Sequence, residues 1–266
     1  MITRKEYIIA LEAAIAASKE IMRFYADGFE TEIKQDGSPV TQADLAASEV
    51  IDSYLLRTNI PITGEETHKK EYQIRQHWDE CWCVDPLDGT KEFVKKNGEF
   101  AVNIALIKNK QPIFGVIASP VQQHVIFGGK DCGVFFSSFE TIDQPENWLK
   151  LQQPLILQQP FVITCSRSHH SAPVLQLIND LKDKFGTIEY LKKGSSLKFI
   201  DLAFGHASFY PRFAPTMEWD IAAGQAILEA LGGCVVHAIT GEPLIYNKEN
   251  LTNPYFIAKI APLMDL

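Results

Sequence analysis

Nowhere in its 266 residues does the chain hold an apolar run long enough to cross a bilayer. Its start, Met1-Ile2-Thr3-Arg4-Lys5, leads into an Ala-rich segment broken by charges, where a signal peptide needs an uninterrupted apolar stretch. The expected location is the cytoplasm, with peripheral contact at the cytoplasmic face of the inner membrane left open. Cysteine is sparse: five residues, an odd number, at positions 81, 83, 132, 165 and 234, with no C-x-x-C pair. Cys81-Trp82-Cys83 alternates as a strand does, which favours buried free thiols. Positive charge is also in deficit, since 25 Lys and Arg face 33 Asp and Glu for a formal charge of −8. That balance excludes a nucleic acid polymer as partner and offers no global pull on an anionic substrate, so a phosphate has to be met by local cations. Internal repeats are absent. With 46% hydrophobic and 22% charged residues the chain can bury a sizeable core, as one large domain or two small ones, and nothing sets its oligomeric state.

What is present falls into two patterns. Ile8, Leu11, Ile15, Met22 and Tyr25 recur at helical spacing over residues 3–25, behind the capping-box form Thr3-Arg4-Lys5-Glu6. Thr31 to Ile33 reads as a short strand and Gly37-Ser38-Pro39 as a turn. A second capping box, Thr41-Gln42-Ala43-Asp44, opens a helix to about Arg57 and puts Asp44 in its first turn. After the apolar run ending in Gly64-Glu65-Glu66 and a charged stretch, Cys81 to Val84 is a buried strand. Phe100 to Ile107, Ile113 to Ser119 and Val121 to Phe127 then read as an antiparallel meander.

Residues 137–160 show no clean period, which predicts a boundary near 150 between an α+β domain (1–150) and an α/β domain (151–266). Beyond it, strands at Phe161 to Cys165, Thr187 to Leu191 and Ala207 to Tyr210 alternate with helices at Ala172 to Lys184, Ser195 to Phe204 and Glu218 to Leu231. Gly232-Gly233 stops the last helix, and Cys234 to Ile239 and Pro254 to Lys259 close the sheet. Helices pack on both sheets, a layered α+β and α/β arrangement.

The chemistry collects at Val84-Asp85-Pro86-Leu87-Asp88-Gly89-Thr90. Pro86 pushes Asp85 into extended backbone, and Gly89 frees the chain to turn just before Thr90. Such a turn throws both carboxylates and the Leu87 carbonyl to one side, and oxygen donors without sulfur or imidazole suit a hard cation such as Mg²⁺. A helix or nest beginning at Gly89 would present N–H groups to a phosphate oxygen beside that cation. Taken alone, the segment also fits an ordinary Asp-Pro turn, Asp44 a capping acid, and Asp220 an acid at a helix start.

Three blocks in order, Gly64-Glu65-Glu66, then Asp85 to Thr90, then Trp219-Asp220 with Ala223-Gly224, resemble the signature blocks of the Mg²⁺-dependent, lithium-sensitive inositol monophosphatase superfamily. The wording Lys91-Glu92-Phe93, Asn97-Gly98-Glu99-Phe100 and Tyr210-Pro211-Arg212-Phe213 is most similar to its bacterial 3'(2'),5'-bisphosphate nucleotidases. The resemblance implies a two-domain αβαβα sandwich and a phosphatase of sulfur metabolism that removes the 3'-phosphate of adenosine 3',5'-bisphosphate, with its phosphosulfate analogue as a further substrate.

It also implies two or three Mg²⁺ ions. Glu65, Asp85 and the Leu87 carbonyl would hold one, and Asp85, Asp88 and Asp220 a second. Thr90, oriented by Asp44, would position the attacking water, and the N–H groups of Gly89 and Thr90 would hold the phosphate. Gly194-Ser195-Ser196-Leu197-Lys198 and Arg212 resemble the positions that contact the nucleoside and its 5'-phosphate, and His169 could reach it too. Glu65, Leu87, Asp88 and Asp220 would border the substrate. An inositol or sugar monophosphatase, and an inactive metal- or nucleotide-binding module, remain as alternative readings.

Overall fold

The computed structural model describes residues 4–33, 39–67, 69–152, 157, 159–165 and 172–263. Helix α1 (Lys5–Asp27) is followed by a two-stranded ribbon of β1 (Thr31–Ile33) and β2 (Pro39–Thr41), then helix α2 (Gln42–Leu55). Strand β3 (Ile62–Gly64) and the one-turn helix α3 (Tyr72–Arg75) lead into β4 (Glu80–Asp88) and the short helix α4 (Thr90–Val94). A meander follows: β5 (Ala101–Lys108), β6 (Gln111–Ser119), β7 (His124–Gly129), β8 (Gly133–Ser138) and β9 (Leu149–Leu151). With β3 and β4 these form a seven-stranded sheet in chain order, antiparallel except for the parallel β3–β4 pair.

The second sheet has five strands in the order β11-β10-β12-β14-β13, made of β10 (Phe161–Cys165), β11 (Ile188–Lys192), β12 (Phe209–Arg212), β13 (Cys234–His237) and β14 (Phe256–Lys259). β10 runs parallel to β11 and β12, while β14 is antiparallel to β12 and β13. Helices α5 (Ala172–Phe185), α6 (Leu197–Ala203) and α7 (Glu218–Ala230) complete the chain.

Strand periodicity sorts the side chains into two cores. Trp82 and Val84 of β4 face α1 and α2, among Tyr7, Leu11, Ala47 and Ile51, whereas Cys81 and Cys83 face the opposite core with Trp219, Ala223 and Ile227 of α7. That second core continues without a break into Phe161, Ile163 and Phe209 of the smaller sheet. Phe161 stacks on Phe185 of α5 at 4.4 Å, while Tyr210 meets Phe199 of α6 edge-on at 5.8 Å. The order α1/α2, large sheet, α6/α7, small sheet, α5 is the layered sandwich expected. Gly224 makes the middle layer possible, because a Cβ there would stand 2.2 Å from the Phe199 ring.

Several boundaries differ from expectation. α1 starts at Lys5 with Arg4 as its N-cap and no side-chain cap, and Thr3 lies outside the described residues, as does the turn residue pair at 37–38. β9 falls where no period was visible, and β8 was not expected as a strand: β9 is a three-residue edge strand paired to β8, with Leu149 exposed and Leu151 half-buried against the core. Ser195 precedes α6, with φ +48, and the helix itself begins at Leu197. All five cysteines are free; Cys81, Cys83 and Cys234 are buried, Cys132 and Cys165 half-buried. No helix among the described residues is long and apolar enough to cross a membrane.

Candidate active site

Strand β4 pairs with β5 residue for residue as far as Asp85 opposite Asn103, then skips to Asp88 opposite Ala101. Pro86 sits inside that irregularity, where a residue without an N–H costs the ladder nothing. Gly89 follows at φ +98 and caps α4, its carbonyl accepting from the Glu92 and Phe93 N–H groups. A Cβ at Gly89 would approach the Glu99 carbonyl to 3.0 Å and the Ser195 Cβ to 3.3 Å, so the left-handed turn also lets residues 194–196 close over it.

Thr90 and Asp44 meet as the resemblance implies. At the start of α2, Thr41 Oγ1 accepts from Ala43 N–H, while Thr41 donates both N–H and hydroxyl to Asp44 Oδ2 at 2.7 and 2.6 Å. The other oxygen, Oδ1, accepts the Thr90 hydroxyl at 2.9 Å, and the Leu87 carbonyl lies 3.3 Å from the same hydroxyl. Asp44 is buried, and burial raises its carboxyl above the usual range despite these donors. One carboxylate thus caps α2 through one oxygen and accepts a hydroxyl from another element through the other.

Asp85, buried at 1% exposure, is pushed well above the carboxylate range by burial and by the charges of Glu65, Asp88, Asp220 and Asp44. Asp220, in the first turn of α7, is pushed up to about 8 by burial and then by Asp88. Asp88 is raised by burial, with Lys198 and Ser196 opposing. Four separate chain segments therefore bring acids into one electrostatic neighbourhood, at the mutual cost that a cation removes.

Among the described residues no three of these side chains are drawn into a closed metal cluster. Backbone amides hold one oxygen of each acid instead. Leu87 N–H donates to Asp85 Oδ1 at 3.0 Å, Met217 N–H to Asp220 Oδ2 at 2.9 Å, and Ser196 N–H to Asp88 Oδ2. The second oxygen of each takes no hydrogen bond from a described residue, so it is free to serve a ligand. An all-oxygen set of repelling acids with one uncommitted oxygen apiece fits a hard divalent cation.

Residues from both halves of the chain enclose a cleft of about 320 Å³ beside these acids, lined by Asp88, Gly89, Lys91, Lys95, Ser195, Lys198, Arg212 and Asp220 among others. Lys198 is buried and turned inward. Its ammonium donates to the carbonyls of Lys193 at 3.2 Å and Ser195 at 2.5 Å and lies 5.2 Å from the Tyr210 ring centre. Burial lowers its pKa to about 8, against the pull of Asp88. Arg212 is half-buried and donates to the Pro215 carbonyl at 3.3 Å. Ser195 lines the cleft from its left-handed turn, not from within the helix expected over Ser195 to Phe204. Glu65 stands at the end of β3, its N–H bonded to the Val84 carbonyl at 3.1 Å. His169 lies outside the described residues.

Sequence reasoning missed Asn103, and read Ser196 as part of a nucleoside-contacting stretch without its tie to Asp88. Asn103 Nδ2 donates to Asp88 Oδ2 at 3.2 Å, and its Oδ1 accepts the Ser196 hydroxyl at 2.7 Å, so the two pin Asp88 between the halves of the chain. The available signal was a lone amide inside the apolar run Ala101 to Ile107, a residue that has to find partners once buried.

The inositol monophosphatase family model matches residues 3–260. The 3'(2'),5'-bisphosphate nucleotidase CysQ of Escherichia coli O157:H7 is 41% identical over 250 residues, covering 92% of this chain and 95% of that protein. The crystal structure of CysQ from Bacteroides thetaiotaomicron superposes with a TM-score of 0.85 at 41% identity, covering 96% and 97% of the two chains. An IMPase/NADP phosphatase complexed with Mg²⁺ and phosphate, at 18% identity and a TM-score of 0.72 over 94% of this chain and 90% of that one, shares the fold. With a family model spanning almost the whole chain and relatives above 40% identity over most of it, the chain belongs to the inositol monophosphatase family.

Proposed function

We propose that this protein is a Mg²⁺-dependent 3'(2'),5'-bisphosphate nucleotidase that hydrolyses the 3'-phosphate of adenosine 3',5'-bisphosphate, and of its phosphosulfate analogue. The observation that carries this reading is a single cleft lined both by the acids Asp88 and Asp220 and by the cations Lys198 and Arg212. Two phosphates of one small molecule are thereby met by different chemistry. The similarity to CysQ proteins over almost the whole chain supports the same substrate class. Five unpaired cysteines suit the reducing cytoplasm.

Glu65, Asp85 and the Leu87 carbonyl would hold one Mg²⁺, and Asp85, Asp88 and Asp220 a second, with Asp85 shared; a third ion would complete the set on the substrate side. Bound there, Mg²⁺ supplies positive charge to the transferring phosphoryl group and makes a water acidic enough to attack. Thr90 gives its own hydroxyl proton to Asp44, so its lone pairs face outward to accept from that water and aim it. As the P–O3' bond breaks, the water oxygen joins phosphorus, one water proton passes toward the Thr90–Asp44 pair, and the ribose oxygen leaves to be protonated. Lys198 and Arg212 grip the 5'-phosphate, away from the reacting atom, and so act on binding and orientation.

The deciding experiment compares kcat/KM on adenosine 3',5'-bisphosphate, its 3'-phosphosulfate analogue and inositol 1-phosphate in excess Mg²⁺. The nucleotides should lead by about a hundredfold or more, the discrimination expected of charged contacts. Preference for inositol 1-phosphate would instead make this a sugar phosphatase, and no turnover of any would leave a binding module.

A further inference from the structure

Two buried charges near the site take no part in the mechanism above. Arg75, at 3% exposure, ends the one-turn helix α3, and Glu218, at 1%, opens α7 two residues before Asp220. Burying either is costly unless its hydrogen bonds are met, and both are met by the same loop. Glu218 Oε2 accepts from Asn247 N–H at 2.6 Å, and Oε1 accepts from Lys248 N–H at 3.0 Å and from the Lys248 ammonium. Asn247 in turn is paired reciprocally with Arg75: its Oδ1 accepts from Arg75 Nη1 at 2.6 Å and its Nδ2 donates to the Arg75 carbonyl at 2.7 Å. Arg75 Nη2 reaches on to the Lys248 carbonyl at 3.1 Å, and Nε to the Lys70 carbonyl at 2.9 Å.

These bonds join two segments more than 140 residues apart, and each segment leads straight to an acid of the site. The segment ending at Arg75 begins at Glu65. A second tie runs nearer the acids, where the Lys69 ammonium donates to the Glu65 carbonyl at 2.8 Å and lies 5.0 Å from the ring centre of Trp219. Glu65 and Asp220 are therefore spanned twice, once through Lys69 and Trp219 and once through Arg75, Asn247 and Glu218. We propose that Arg75, Asn247 and Glu218 form a strut that fixes the spacing of Glu65 from Asp220, and are positioning residues for the divalent-cation site. This rests on the cation reading given above.

Such a strut acts on cation affinity, because supporting partners of metal ligands typically change that affinity by about 10–100-fold when removed. Asn247 is the clean place to cut. Its φ of +54 is one glycine adopts freely, so Asn247→Gly deletes the side chain without straining the turn. Mg²⁺ alone is titrated calorimetrically into the full-length protein without substrate, for wild type, Asn247→Gly and Arg75→Lys, which keeps the charge but loses the fork. Both variants should bind Mg²⁺ about tenfold or more weakly, with KM for the nucleotide at saturating Mg²⁺ changed less than threefold. In a Glu65→Gln background the Asn247→Gly effect should shrink below about twofold, while in an Asp44→Asn background it should persist. A general loss of structure would weaken all backgrounds alike and overturn the strut, as would unchanged Mg²⁺ affinity in both folded variants. Failure of the wild-type protein to bind Mg²⁺ at all would instead refute the cation site itself.

Discussion

Thr90→Val is the most searching single perturbation of the site, because it replaces one hydroxyl by a methyl and leaves the start of α4 otherwise intact. The hydroxyl proton is committed to Asp44 Oδ1 at 2.9 Å, so in the wild type the Thr90 oxygen can only accept from a water on its open side. A positioned group of this kind contributes about 10²–10⁴-fold to rate, or roughly 2.7–5.5 kcal/mol at 1.36 kcal/mol per decade. Turnover at saturating Mg²⁺ and nucleotide should fall by that factor, Thr90→Ser should restore most of it, and Mg²⁺ affinity should hold. Asp44→Asn should show a similar loss, and the double variant little more than the larger single one, since the two groups act as a unit.

The pH profile carries the same logic. Asp44 can take a proton passed through Thr90 only when ionised, and burial raises its pKa, so kcat should fall as pH drops through a value above the ordinary carboxylate range. Folding has the opposite sign: the native state holds the Asp44 proton more tightly than the unfolded chain, so stability is lost as pH rises across that window. Thr90→Val within twofold of wild type, or a double variant whose losses multiply, would refute the relay.

Other outcomes follow from the same geometry. Arg212→Ala should raise KM for adenosine 3',5'-bisphosphate about tenfold or more, the order of a charge-assisted bond worth about 1.5–3 kcal/mol, and change 3'-AMP much less; equal effects on both substrates would remove it from the 5'-phosphate. Lys198→Ala should raise KM likewise but also lower kcat, because Lys198 ties the Lys193 and Ser195 carbonyls and Ser196 N–H holds Asp88; an unchanged kcat would refute that link. Asp85→Asn should abolish turnover and cost far more than Glu66→Gln, and comparable losses would deny Asp85 its bridging place. Excess chelator should silence the enzyme and added Mg²⁺ revive it, so full activity in chelator defeats the metal reading. Gly224→Ala should lower the free energy of unfolding by about 1–3 kcal/mol through overpacking, read as a lower denaturant midpoint, and an unchanged midpoint would deny the close approach of Phe199 to α7.

The parts legible in sequence were those where local chemistry and long-range geometry agree. Thr41 to Asp44 announces a capping box, and the structure builds one, then uses the spare Asp44 oxygen for Thr90. Asp85 to Thr90 announces a turn because Pro86 and Gly89 constrain the backbone by themselves. What was not legible depends on partners far away in the chain. Lys198 has the spacing of a helix-surface residue, yet the 193–196 turn folds its carbonyls over the ammonium and Tyr210 covers it. Asn103 reads as a flaw in an apolar strand until Asp88 and Ser196 stand beside it. β9 is an edge strand of three residues, too short to show a side-chain period.

Charge shows why such a site belongs in so acidic a molecule. Over the whole chain 25 cations face 33 acids, but the cleft gathers Lys91, Lys95, Lys193, Lys198 and Arg212 against Asp88, Glu92 and Asp220, five against three. The sign of the local balance is therefore opposite to that of the surface. A polyanion meets a molecule whose formal charge is −8. A small bisphosphate spans only the cleft, where low-dielectric walls strengthen each interaction that remains. Since Lys91 comes from α4, Lys95 from its C-cap, and Lys193, Lys198 and Arg212 from the second half of the chain, that reversal exists only when residues 194–196 close on Gly89. Substrate selection by charge and assembly of the catalytic turn are thus one folding event, and a change that opens the seam at Gly89 should lose both together.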